Sequence, residues 1–211
     1  VRMQAVRQRQ LSRVALSVQL APVEVVQVRV LGGPLLHDPG QFLADHLEGQ
    51  FPARAFRRVA QRPESQPALA EFAATGVDVA VVEAGLGGRF DATNVLRSPV
   101  QVLTNVSLEH TEVLGTTRPA IAGEKLAVVQ PGATVVLTEP EWEDLARDNG
   151  AAQVVIAARS NLAVAIIAAE AYLGRSVDGH VDVHLPGRLE HVSEHPLEIW
   201  DGAHNLAGVG Y

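Results

Sequence analysis

Three residues with chemical potential are spaced along the middle of the chain: Glu83, His110 and Lys125. Glu83 is followed at once by Gly85, Gly87, Gly88, Arg89, Asp91, Thr93 and Asn94. An acid, pliable backbone and a guanidinium in so short a stretch suit a charged ligand. His110 closes the run Asn105-Val106-Ser107-Leu108-Glu109-His110. A carboxylate and an imidazole brought onto one cation suit Mg²⁺ or Mn²⁺ better than structural zinc. Lys125 lies 15 residues further on and is the only lysine among 17 basic residues. A lysine can bind phosphate directly or be carbamylated into an anionic metal ligand, which an arginine cannot imitate. Any chemistry that needs a lysine must use this one. Taken singly, each has an ordinary alternative: a glycine-rich turn, a structural histidine, a solvated lysine.

The elements that must position these residues are legible from the pattern. Val77–Val82 is a β-branched apolar run, too short for a helix, and reads as a buried strand of a parallel sheet ending at Glu83. Pro99–Asn105 reads as a second buried strand, which ends just before His110. Ligands of open α/β sheets bind outside the carboxyl ends of the strands, where both residues would then stand. Thr117–Val129 reads as a helix carrying Lys125, with Thr117 as N-cap and Pro119 in the first turn. Beyond it come strand Ala133–Leu137, helix Glu141–Asn149 closed by Gly150, strand Gln153–Ala157, and an alanine-rich helix Asn161–Leu173 capped by Ser160. Strand Leu197–Trp200 follows. A β-α-β-α-β order with short turns predicts an α/β fold with a doubly wound parallel sheet.

The first 66 residues differ in kind. They hold nine arginines against five acids, a balance of +4, whereas the remainder has eight basic and 19 acidic residues, −11. Nine of the 12 glutamines also fall there. Val6–Leu20 could be helical, Val23–Leu31 alternates like a strand, and Pro67–Thr75 reads as a helix end stopped by Gly76. The net charge of −7, with no basic patch, argues against general nucleic-acid binding. No apolar run approaches a membrane span, no secretory signal is evident, and the absence of cysteine excludes disulfides and thiolate metal sites. Gly85–Phe90 is not a dinucleotide fingerprint, since the last glycine position falls on Phe90 and no helix is expected to open there. The single lysine also rules out a G-x-x-x-x-G-K-[ST] loop within these residues. His180/His184 and His191/His195 have i,i+4 spacing, but without H-E-x-x-H they do not make a zinc motif.

Six phrases in order, VVEAGLGGRFDATN, TNVSLEHTEVLG, GEKLAVVQPG, SNLAVA, LPGRLE and DGAHN, cover Val77–Tyr211. Together they resemble the folylpolyglutamate synthase/dihydrofolate synthase family of Mur-type amide ligases. The resemblance implies a Mur-ligase central domain using ATP and Mg²⁺. Glu83 and His110 match the magnesium ligands, and Lys125 matches the lysine carbamylated in that family. Asn161, Arg188 and Asp201 match nucleotide-contacting positions, with Arg188 near the terminal phosphates and His204 beside the nucleotide. Phe90, Asp91 and Ala92 match a stretch that touches pteroate. The implied reaction phosphorylates a dihydropteroate or folate carboxylate, and the amine of L-glutamate then displaces phosphate. A cytoplasmic monomer with small-molecule substrates, and neither nucleic-acid nor membrane partners, is the expectation. Another Mur-type amino-acid ligase, or a non-catalytic fragment, are the alternatives.

Two departures from the pattern set further expectations. Residues 1–66 hold no T-N-G-K phosphate loop and read as a frameshifted or disordered segment. Residues 67–190 would be a partial ATP-binding domain, and 191–211 the start of a truncated C-terminal domain. Without backbone amides to cradle the phosphates, ATP affinity would fall severely.

Overall fold

The computed structural model describes residues 3–6, 26–30, 79–177, 187 and 189–202. Six strands form one sheet: β1 (Met3–Val6), β2 (Val26–Val30), β3 (Val79–Glu83), β4 (Val100–Leu103), β5 (Thr134–Leu137) and β6 (Gln153–Ile156). Their spatial order is β1-β3-β2-β4-β5-β6. The parallel pairs β4–β5 and β5–β6 bear out the α/β parallel-sheet expectation. β2 runs antiparallel to both β3 and β4, so those two strands point the same way with an opposed strand between them. β1 adds an antiparallel edge beside β3. The alternating Val23–Leu31 run thus supplies β2. Val6 ends a strand; the rest of the helix expected over Val6–Leu20, and that expected over Pro67–Thr75, lie outside the described residues.

Both faces of the sheet are covered, which is why β4 is buried at every position. Val100 and Val102 turn to one face, where with Val136 they pack on Val164 and Ala168 of α4 (Asn161–Leu173). Leu103, Val135 and Leu137 turn to the other face. There they meet Leu114 of α1 (Thr111–Leu114), Ile121 and Leu126 of α2 (Arg118–Leu126), and Ala146 of α3 (Glu143–Asp148). Burial of side chains such as Leu103 and Ile121 contributes about 1.5–3 kcal/mol each. Gln101 is the polar exception in β4; its Nε2 donates to the Val128 carbonyl at 2.8 Å and ties the strand to the turn after α2.

The helix boundaries follow their caps. Thr117 Oγ1 accepts from the Ala120 N–H at 3.3 Å, with Pro119 in the first turn, as the sequence predicts. Ser160 Oγ accepts from the Ala163 N–H, and α4 ends at Gly174 in the left-handed region, φ 64°. Outside the sheet, β7 (Glu190–Glu194) and β8 (Leu197–Trp200) form an antiparallel hairpin. Among the described residues, no helix is long and apolar enough to cross a membrane.

Candidate functional site

The glycine-rich segment after β3 is folded by one buried carboxylate. Asp91 Oδ2 accepts the Gly85 and Leu86 N–H groups at 2.9 and 3.0 Å. Its Oδ1 accepts the Thr93 N–H at 2.9 Å and the Thr93 hydroxyl at 2.7 Å. The side chain therefore holds both ends of the loop and caps the 3₁₀ turn Ala92–Val95. Ala92 is buried beside it, while Phe90 is exposed. Of the three residues expected on the substrate side, Phe90 offers an open side chain and Asp91 faces inward.

Two helices close on this loop where it has no side chains. A Cβ on Gly87, whose φ is 64°, would stand 2.6 Å from Leu114 Cδ2 in α1. A Cβ on Gly88 would stand 2.7 Å from the Lys125 carbonyl oxygen and 2.8 Å from that of Glu124 in α2. Gly88 is thus needed for close approach, since backbone oxygens face it, and Gly87 for its backbone angle, since the Leu114 methyl facing it can turn aside. Arg89 completes the joint. Its N–H donates to the Glu124 carbonyl and its Nε to Glu124 Oε1, both at 3.0 Å.

The elements that carry the three residues singled out first meet at this joint. Glu83, the last residue of β3, is half-buried two positions ahead of Gly85. His110 caps α1 in the left-handed region at φ 51°, with its side chain 51% exposed. That backbone is uncommon outside glycine, and such strain concentrates at functional positions. Lys125 is 1% exposed, on the part of α2 that Gly88 meets. Burial is costly for an ammonium, and a carbamate at the same nitrogen would instead be an anionic oxygen donor.

A cation can be judged against these donors. A carboxylate and an imidazole suit a hard divalent ion that keeps several waters. Among the described residues, no three His, Cys, Asp or Glu side chains stand together as a metal-binding group. On donor chemistry, a carbamylated Lys125 would add a third, anionic oxygen ligand to the carboxylate of Glu83 and the imidazole of His110.

The remaining predicted residues fall in two places. Asn161 is exposed at the first position of α4. Asp201, just after β8, is exposed and its Oδ2 accepts the Leu189 N–H at 2.9 Å. The hairpin therefore brings the LPGRLE and DGAHN phrases together across 12 residues. Arg188 and His204 lie outside the described residues.

Sequence reasoning missed a second buried carboxylate, Glu139, which follows β5. Its Oε1 pairs with Arg118 at 2.9 Å and Arg159 at 2.6 Å. Its Oε2 accepts the Val106 N–H at 3.0 Å and the Trp142 indole N–H at 2.8 Å. Arg118 also reaches the Val106 carbonyl at 2.9 Å and Glu141 at 2.6 Å, and lies over the Trp142 ring. The partners are far apart in sequence, so only its place at a strand's carboxyl end could have marked Glu139.

No protein-family model matches the chain. It is 30% identical over 201 residues to the dihydrofolate synthase/folylpolyglutamate synthase of Mycobacterium tuberculosis, with 67% of this chain and 41% of that protein covered. Against the enzyme of the same name from Escherichia coli it is 32% identical over 183 residues, covering 68% of this chain and 43% of that protein. A crystal structure of the bifunctional folylpolyglutamate synthase/dihydrofolate synthase of Yersinia pestis, complexed with AMPPNP and Mn ion, superposes with a TM-score of 0.55 at 30% identity. That superposition covers 68% of this chain and 44% of the other. The resemblance carried by the six phrases is borne out, and the chain spans about two fifths of the length of the curated relatives it matches.

Proposed function

We propose that the chain is a portion of an ATP-dependent ligase of the folate pathway, joining L-glutamate to dihydropteroate or folate in the cytoplasm as a monomer. What carries this reading is the joint at which the Gly85–Gly88 loop, the His110-capped helix and the buried Lys125 meet. It is supported by the names of the similar proteins, and by the nucleotide analogue and Mn ion in the Yersinia pestis complex.

In this reading Glu83, His110 and carbamylated Lys125 hold Mg²⁺, which when bound neutralises charge on the phosphates of ATP. Asn161 and Asp201 contact the nucleotide, with His204 beside it, and Arg188 stabilises charge on the transferring phosphoryl group. Phe90 offers its ring to the pteroate, on a loop that Asp91 and Ala92 hold in shape. A carboxylate oxygen of the pteroate attacks the γ-phosphorus and ADP leaves, giving an acyl phosphate. The glutamate amine adds to the acyl carbon, loses a proton, and inorganic phosphate departs as the amide forms.

Residues 67–190 then form part of the ATP-binding domain, and 191–211 open a further one. Residues 1–66 are foreign to the pattern, and no phosphate loop occurs within these 211 residues. As this chain alone, the ligase has little or no activity. Titration calorimetry with ATP and Mg²⁺ is expected to give binding no tighter than about millimolar, because the sequence holds no T-N-G-K loop whose amides would cradle the phosphates. Saturation-transfer NMR should show pteroate, and not a muramyl peptide, touching the Phe90 ring. Micromolar ATP binding would overturn the inactive-fragment reading, and a preference for the muramyl compound would overturn the folate assignment.

A further inference from the structure

Arg118 is oddly placed. It is the first residue of α2, where the helix dipole disfavours a cation. Glu139 and Glu141 offset that cost, at 2.9 and 2.6 Å. The arrangement also closes a ring. Glu139 takes the Val106 N–H, Arg118 takes the Val106 carbonyl, and the two side chains pair with each other. The backbone of residue 106 is therefore gripped on both sides, by its N–H in the 105–106 peptide and by its carbonyl in the 106–107 peptide. Val106 is four residues ahead of His110, and Arg118 starts the helix that carries Lys125. At the other end of α2, Gly88 and Arg89 fix the helix to the loop after Glu83. Arg159 shares the same carboxylate but stands outside the ring.

We propose that Glu139 and Arg118 are positioning residues that set the His110 segment against the Lys125 helix by holding the two consecutive peptides that flank Val106. The proposal rests on the metal-site reading above. It assigns to Glu139 no contact with substrate, nucleotide or metal. Its action is on the spacing of two candidate donors that come from different elements. Partners that orient metal ligands from outside typically govern affinity by 10- to 100-fold.

The test uses the full 211-residue chain and Mn²⁺ as the probe. Affinity is read by electron paramagnetic resonance, and placement by Mn²⁺ broadening of the His110 imidazole NMR signals. The set is wild type, His110→Ala, Glu139→Gln, Arg118→Lys and Arg159→Gln. Lysine can still pair with Glu139 but lacks the planar fork that reaches the Val106 carbonyl at the same time. Glu139→Gln and Arg118→Lys are expected to weaken Mn²⁺ binding about tenfold and reduce the broadening, with cooperative urea unfolding retained. Arg159→Gln should stay within about twofold of wild type, since the ring is intact. Wild-type affinity in both ring variants, or an equal loss in Arg159→Gln, overturns the positioning role while the metal site stands. If His110→Ala binds as tightly as wild type, the metal reading fails and the positioning role falls with it. Should Glu139→Gln not fold, Arg118→Lys decides the matter, because it keeps the charge on the buried carboxylate.

Discussion

At the scale of single residues, the two buried carboxylates divide the work. Asp91 folds the glycine loop upon itself, and Glu139 gathers segments that are distant in sequence. Asp91→Ala removes the acceptor of four hydrogen bonds, three of them from backbone N–H groups. Stranding those donors should cost about 3 kcal/mol, measured by urea denaturation. Asp91→Asn, which keeps one acceptor oxygen, should lose less. Glu83, His110 and Lys125 were legible as candidates because residue type and position after a strand are properties of the chain alone. Glu139 was not. An acid in LTEPEW looks like any turn acid until Val106, Arg118 and Arg159 are folded onto it.

At the scale of elements, the glycines around α2 have opposite requirements. Gly88 faces backbone oxygens at 2.7 and 2.8 Å, whereas nothing stands within 4 Å of a Cβ at Gly123. Gly123→Ala should therefore stabilise the chain by about 0.5–1 kcal/mol through helix propensity. Gly88→Ala should destabilise it by about 1–3 kcal/mol, since loop and helix must part. Thermal unfolding of the two variants gives the signs directly. The strands and long helices of residues 79–173 fell close to where periodicity and caps predict them, because burial on two faces leaves near-continuous apolar runs. The four-residue α1 was not foreseen. It is too short to show a period, and its cap is a left-handed histidine rather than a serine or aspartate. The antiparallel course of β2 was equally hidden, since alternation marks a strand but not its direction.

At the scale of the molecule, the described parts are a two-faced α/β sheet and a separate β-hairpin. The hairpin leaves Leu197, Ile199 and Trp200 exposed. A two-stranded ribbon is marginal by itself, and so much open apolar surface suits the proposal that 191–211 begin a further domain. The glycine joint between loop and α2 has one more use, as a reporter. Lys125 is the only side-chain amine in the chain, and it is buried on the helix whose backbone Gly88 meets. In the chain prepared without carbamylation, an amine-reactive reagent thus has one side-chain target, reached when its buried surroundings open. The native labelling rate, divided by that of the unfolded chain, measures the free energy of that local opening. Gly88→Ala should accelerate it, and equal rates in the two proteins would mean that the amine is guarded elsewhere. A residue chosen for chemistry would then serve as a clock for the motion of its own enclosure.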